Sequence, residues 1–95
     1  MLNNAKYIVV ANHKSPRIER LFPFDPTITH RDMFLMVKRG GWDLPVSGGF
    51  VDEFMQCYGE SASLRVSSRT EKDTKILKRM FAIDDKQIKF RKEDL

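Results

Sequence analysis

The sequence predicts an α+β domain built as a two-layer sandwich, with a mainly antiparallel sheet and two helices on one face. Three observations carry that expectation. A β-branched, nearly all-apolar run opens the chain at 6–11. Two later stretches repeat apolar residues at helical spacing, each behind a helix-capping sequence. Between and around them lie short alternating segments cut by glycine and proline, the pattern of strands and turns rather than of more helix.

Taken in order, Lys6-Tyr7-Ile8-Val9-Val10-Ala11 reads as a central strand. Asn12 to Pro16 is a turn. Ile18, Arg20 and Phe22 then alternate with Arg17, Glu19 and Leu21, giving a half-buried strand that pairs back on the first. Pro23-Phe24-Asp25-Pro26 is expected to end regular structure, because each proline fixes φ and removes a donor. Thr29-His30-Arg31-Asp32 has the form of a capping box, with Met33, Phe34, Met36 and Val37 as the apolar face behind it. Gly40-Gly41 supplies the left-handed stop. Leu44 to Val51 and Phe54 to Tyr58 read as strands around a turn at Asp52-Glu53, with Gly48-Gly49 marking a bulge or a close backbone approach. Ser63 to Val66 reads as a further short strand. Ser68-Arg69-Thr70-Glu71 is a second capping box, opening a helix whose face is Ile76, Leu77, Met80 and Phe81. Gln87 to Arg91, alternating at Ile88 and Phe90, is expected to be a last strand.

At 95 residues the chain is one domain, 1–95. A core this thin makes a homo-oligomer the expected state. Hydrophobic residues make up 41% and charged residues 32%, which suits a folded domain and not a disordered one. No apolar run nears the roughly 20 residues that span a bilayer, so no membrane partner is expected. The start lacks the build of a secretory signal. Cys57 is the single cysteine, which excludes an internal disulfide. A cytoplasmic setting is the expectation.

Catalysis needs a nucleophile, a base and an orienting group. Cys57 lies in a strand pattern where core burial is the ordinary role. His13 and His30 are the only histidines, and His30 beside Asp32 fits a helix start. No metal-ligand spacing and no paired-carboxylate motif is present. The chain is therefore expected not to be an enzyme, and to need no cofactor or metal.

Anion binding has more to work with. The net charge is +4, and Arg65, Arg69, Lys72, Lys75, Lys78 and Arg79 against Glu71 and Asp73 place that same excess in one segment. Five of the six serines fall between Ser47 and Ser68. Ser47, Gly48 and Gly49 offer a hydroxyl and closely approachable backbone donors. Ser61, Ser63 and Ser67 add hydroxyls, and Arg65 and Arg69 add charge at a helix start. Trp42, in a loop after two glycines, and Tyr58, before Gly59, offer stacking faces. Together these residues are the predicted ligand site. Serines also cap helices and fill turns, and capping accounts for Ser68. The lysine stripe along the second helix is what any solvated helix face carries.

Pro45-Val46-Ser47-Gly48-Gly49-Phe50, Tyr58-Gly59-Glu60-Ser61-Ala62-Ser63-Leu64 and Ser67-Ser68-Arg69 with Asp73 resemble small proteins commonly encoded by bacteriophages. His30 and Asp32 fit the same pattern, which covers roughly residues 28 to 81. Some such proteins are sponges that sequester cyclic nucleotide signals of bacterial antiviral defence. The resemblance implies a host-cytoplasmic antagonist of that defence, binding a cyclic nucleotide without cleaving it. Two other readings stand beside this one. Trp42 and Phe22-Pro23-Phe24 could anchor an inhibitor of a host protein. Arg65, Arg69 and the lysine stripe could meet a nucleic acid.

Overall fold

The apolar run near the N-terminus becomes the strand on which the rest is assembled. The computed structural model describes residues 4–93, and side chains through residue 82. Strand β1 (Ala5–Asn12) pairs antiparallel with β2 (Ser15–Phe24) on one side and with β3 (Leu44–Val51) on the other. A short β4 (Cys57–Tyr58) continues the sheet beyond β3, giving the order β2-β1-β3-β4. Helix α1 (His30–Lys38) links β2 to β3. A separate two-stranded ribbon, β5 (Glu60–Ser61) with β6 (Val66–Ser67), leads into α2 (Thr70–Glu93). The class is α+β with antiparallel sheets, as predicted.

The layering differs from the prediction. Side chains alternate across a strand, and both faces of β1 are apolar. Tyr7 and Val9 join Leu21, Val51, Cys57 and Leu77 in one core, closed by Ile76, Met80 and Phe81 of α2. Ile8 and Val10 join Phe24 in a second core, closed by Met33, Phe34 and Val37 of α1 with Trp42 and Leu64. The two helices thus cover opposite faces of the sheet. A central strand that is apolar on both sides requires a cover on each.

Element boundaries also differ, beginning with the first turn, which is residues 13–14 rather than Asn12 to Pro16. Pro23 and Phe24 remain in β2, with Pro23 opposite Tyr7, because β2 is an edge strand and an edge tolerates a missing donor. Phe54 to Gln56 is a turn rather than a strand, since the Asp52 carboxylate accepts from the Phe54 and Gln56 amides at 2.8 and 2.9 Å. Ser63 to Arg65 lie in a turn, so of the strand expected over Ser63 to Val66 only Val66 is in one, in Val66–Ser67. Gln87 to Arg91 lies inside α2. Nothing from Thr70 onward breaks a helix: the stretch has no glycine or proline and is rich in Lys.

At the first helix start the Thr29 hydroxyl accepts from the Asp32 amide at 3.1 Å, the N-cap half of the expected box. The bulge in β3 falls beside Val46, between the Val9–Ser47 and Val10–Pro45 pairs. The predicted close approach is at Gly49. A Cβ there would collide with the Tyr58 carbonyl, so this position admits no side chain.

Candidate anion-binding surface

The second helix start is built differently from its capping box. The acid that reaches back is Asp73, not Glu71. Asp73 is fully buried and its carboxylate accepts from the Arg69 backbone amide at 3.0 Å. It also takes Arg69 Nε at 3.1 Å and Nη2 at 2.8 Å. The Tyr7 hydroxyl lies 2.7 Å from both Asp73 Oδ2 and Ser68 Oγ. Its single proton goes to the carboxylate, the stronger acceptor, and Ser68 and Thr70 extend the hydroxyl chain. Burial pushes the Tyr7 hydroxyl pKa well above its ordinary value, and the neighbouring Asp73 adds to that. One step further along α2, the Cys57 amide donates to the Thr74 hydroxyl at 3.0 Å.

This network decides the fate of Arg69. Its guanidinium also grips Glu19 of β2 through two nitrogens, at 3.1 and 2.9 Å. Burial disfavours its charge, but the bonds to Glu19 and the charge of Asp73 outweigh that and hold its pKa above the usual value. Two carboxylates therefore occupy the fork that was predicted to grip a phosphate. Arg69 ties α2 to the edge of the sheet. Glu19 could not be paired with it from sequence, since the two are 50 residues apart. The i,i+4 spacing of Arg69 and Asp73 was the available signal.

The remaining predicted residues divide into an interior and an exterior group. Ser47, Gly48 and Gly49 are buried, and consecutive strand residues face opposite ways. Ser47 pairs with Val9 on the α2 face, and its hydroxyl has no hydrogen-bond partner among the described residues. A Cβ on Gly48 would meet Val66 and Ser61, on the α1 side. Ser61 is buried there and accepts from the Leu64 amide at 3.3 Å. These residues line two faces of a sheet and do not converge on one cradle. Trp42 is half-buried in the second core with its ring edge-on to Phe22, so it closes that core.

Tyr58, Ser63, Arg65 and Ser67 form the exterior group, and all four are exposed. They sit around the β5–β6 ribbon, whose strands pair Glu60 with Ser67 and Ser61 with Val66. Tyr58 is 43% exposed with its ring against Phe50. Arg65 stands at the turn with φ of 55°, in the left-handed region. No ion pair engages it among the described residues.

The groups considered for catalysis are engaged elsewhere. His30 is buried edge-on between Phe24 and Phe50, and its Nε2–H donates to the Gly49 carbonyl at 2.9 Å. Burial holds its pKa below the ordinary value, and the Lys6 charge adds to that. Cys57 is buried, and its thiol is pushed up to about 11 by that burial. His13, at the β1–β2 turn, pairs with Asp43, which also accepts from the His13 amide at 2.9 Å. Among the described residues no three His, Cys, Asp or Glu side chains group as metal ligands. Among the described residues no helix is long and apolar enough to cross a membrane. Comparison with family models, with curated proteins and with solved structures finds no match.

Proposed function

We propose that the protein is a non-catalytic binder of a phosphate-bearing small molecule, taken on the exterior of the β5–β6 ribbon. Arg65 carries the reading. A left-handed backbone costs a non-glycine residue about 1–2 kcal/mol, and glycine or asparagine would hold this turn more cheaply. An exposed arginine kept in that conformation, free of carboxylate partners among the described residues, is a strained residue of the kind found at binding sites. Ser63 and Ser67 flank it with hydroxyl donors, and Tyr58 presents a ring on which a base can stack. A cyclic nucleotide combines the phosphate and the base that this set would recognise. Sequestering such a signal in the cytoplasm of an infected bacterium is the role that follows from the phage-protein resemblance.

The test is native mass spectrometry of the protein purified from cells, followed by titration with cyclic dinucleotides and cyclic oligonucleotides. Retention of a phosphate-bearing mass, or saturable uptake of one panel member, supports the reading. Absence of both overturns it.

A protein-binding reading has its own observation. Ile18, Leu35, Met36 and Phe54 are large apolar side chains left exposed at 63, 48, 60 and 75%. Recovery of one stoichiometric host protein, insensitive to nucleotide, would favour it.

A further inference from the structure

Phe54 is the most exposed large apolar side chain among the described residues. It stands on the β3–β4 turn, and the turn is built to hold it there. The Asp52 amide donates to the Gln56 carbonyl at 3.0 Å, and the Met55 amide to the Asp52 carbonyl at 3.1 Å. The Asp52 carboxylate takes the Phe54 and Gln56 amides as well. Met55 adopts a left-handed backbone, with φ of 62°, and packs on the first core. Phe54 is left outside. An apolar anchor already fixed in place loses little freedom on binding. Glu53 beside it is exposed, and neither Asp52 nor Glu53 enters an ion pair among the described residues.

The outer face of α1 has the opposite character. Leu35 and Met36 are exposed on it. Residues three and four apart on a helix are neighbours, so Leu35 lies between Arg31 and Arg39 and beside Lys38. All three cations are exposed, and none enters an ion pair among the described residues. Asp32 is the one carboxylate on the helix. We propose that these two surfaces dock on each other between copies of the chain, the Phe54 turn of one copy on the α1 face of the next.

Charge selects the occupant. The chain carries +4, a balance that sets like charge against like over most of the surface of two copies. Among the described residues the Phe54 turn is the one place where two successive carboxylates precede an exposed large apolar side chain. Docking sets Asp52 and Glu53 against Arg31, Lys38 and Arg39, and seats the Phe54 ring on Leu35 and Met36. An aromatic anchor with complementary charges around it is the anatomy of a specific interface. The two surfaces differ, so the contact is heterologous and the copies join head to tail.

The experiment is sedimentation equilibrium at high micromolar concentration and low salt. The wild type is expected to show a mean mass above 11.1 kDa that rises with concentration. That mass should fall back in about 1 M salt, where the screening length is about 3 Å. Phe54→Lys removes the anchor, and the double variant Leu35→Glu, Met36→Glu removes its seat. Each alone should sediment at 11.1 kDa with an unchanged circular dichroism spectrum. Mixed in equal amounts, they still offer one intact α1 face and one intact turn, so the mixture should reach twice 11.1 kDa and go no further. Glu53→Lys keeps Phe54 and should raise the dissociation constant about tenfold. A monomeric wild type overturns the proposal and leaves the α1 face to a foreign acidic partner. A mixture that stays at the monomer mass overturns it too, as does either variant assembling like the wild type.

Discussion

Asp73→Ala tests the structural assignment of Arg69. The substitution removes the acceptor of the Arg69 amide and of two guanidinium nitrogens. The Tyr7 hydroxyl can turn to Ser68, 2.7 Å away, so that bond is largely recovered. The Arg69 amide loses its acceptor; that bond is only part-buried, so water replaces some of it and the loss lies toward the low end of the about 1–3 kcal/mol for an unmade donor. The guanidinium keeps Glu19 but loses its buried partner. Removing one member of a buried ion pair costs about 3–5 kcal/mol. The Arg69 side chain is 27% exposed, and solvent screens part of that loss. The net expectation is about 3 kcal/mol, against a total stability of about 5–15 kcal/mol for a domain. At about 4–8 °C per kcal/mol for a chain of this length, the melting midpoint should fall by about 12–24 °C. Asp73→Asn keeps one acceptor oxygen and should lose about half as much free energy. Urea unfolding followed by circular dichroism reads both. A loss under about 0.5 kcal/mol, the range of an unremarkable surface change, would refute the network and return Arg69 to the pool of free cations.

Other outcomes follow from the same geometry. Gly49→Ala should destabilise by about 2–3 kcal/mol or more, since the new methyl meets the Tyr58 carbonyl and backbone has little room to yield; Gly48→Ala, whose Cβ meets nothing nearer than the Tyr7 carbonyl at 3.3 Å, should cost less in the same urea assay. His30 is held neutral by burial, so its folded pKa lies below the unfolded value of 6.5. The unfolded chain then binds the extra proton first, and stability present above pH 6.5 is lost as the pH falls toward the folded value. Melting midpoints of wild type and His30→Gln across that window should converge on acidification, and parallel curves would contradict the assignment. The Cys57 thiol, buried and pushed up to about 11, should resist a disulfide reagent at neutral pH until urea unfolds the chain. Prompt reaction of the native protein would show that the site is open.

What was legible in the sequence was local. The β1 run, the Thr29 cap and the Gly49 approach are each announced by neighbouring residues, and each stands in the structure. The opposite placement of the helices was also latent in β1, because Tyr7 and Val9 alternate with Ile8 and Val10, and a strand apolar on both sides needs two covers. Errors arose where a local rule met a longer-range one. Pro23 reads as a breaker until β2 is known to be the sheet edge. Ile88 and Phe90 alternate like a strand, but the helix begun at Thr70 meets no breaker before them. The candidate site suffered most. Arg69 reads as free because Glu19 is distant in sequence, and the cluster reads as convergent because its residues are near in sequence, whereas strand alternation sends Ser47 and Gly48 to different faces. Arg65 kept its place in the predicted set, though its left-handed backbone has no sequence signature.

That backbone gives the account its sharpest test. Arg65→Gly relieves the left-handed conformation while removing the guanidinium, so fold and function should move in opposite directions. Calorimetric titration with the phosphate-bearing ligand that the native protein retains, run beside thermal melts, reads both. Arg65→Gly is expected to hold or raise the melting midpoint, with relief of about 1 kcal/mol, and to weaken binding by about 1.5–3 kcal/mol, the worth of a hydrogen bond to a charged group. Undiminished binding by Arg65→Gly would contradict an anion site on the β5–β6 ribbon.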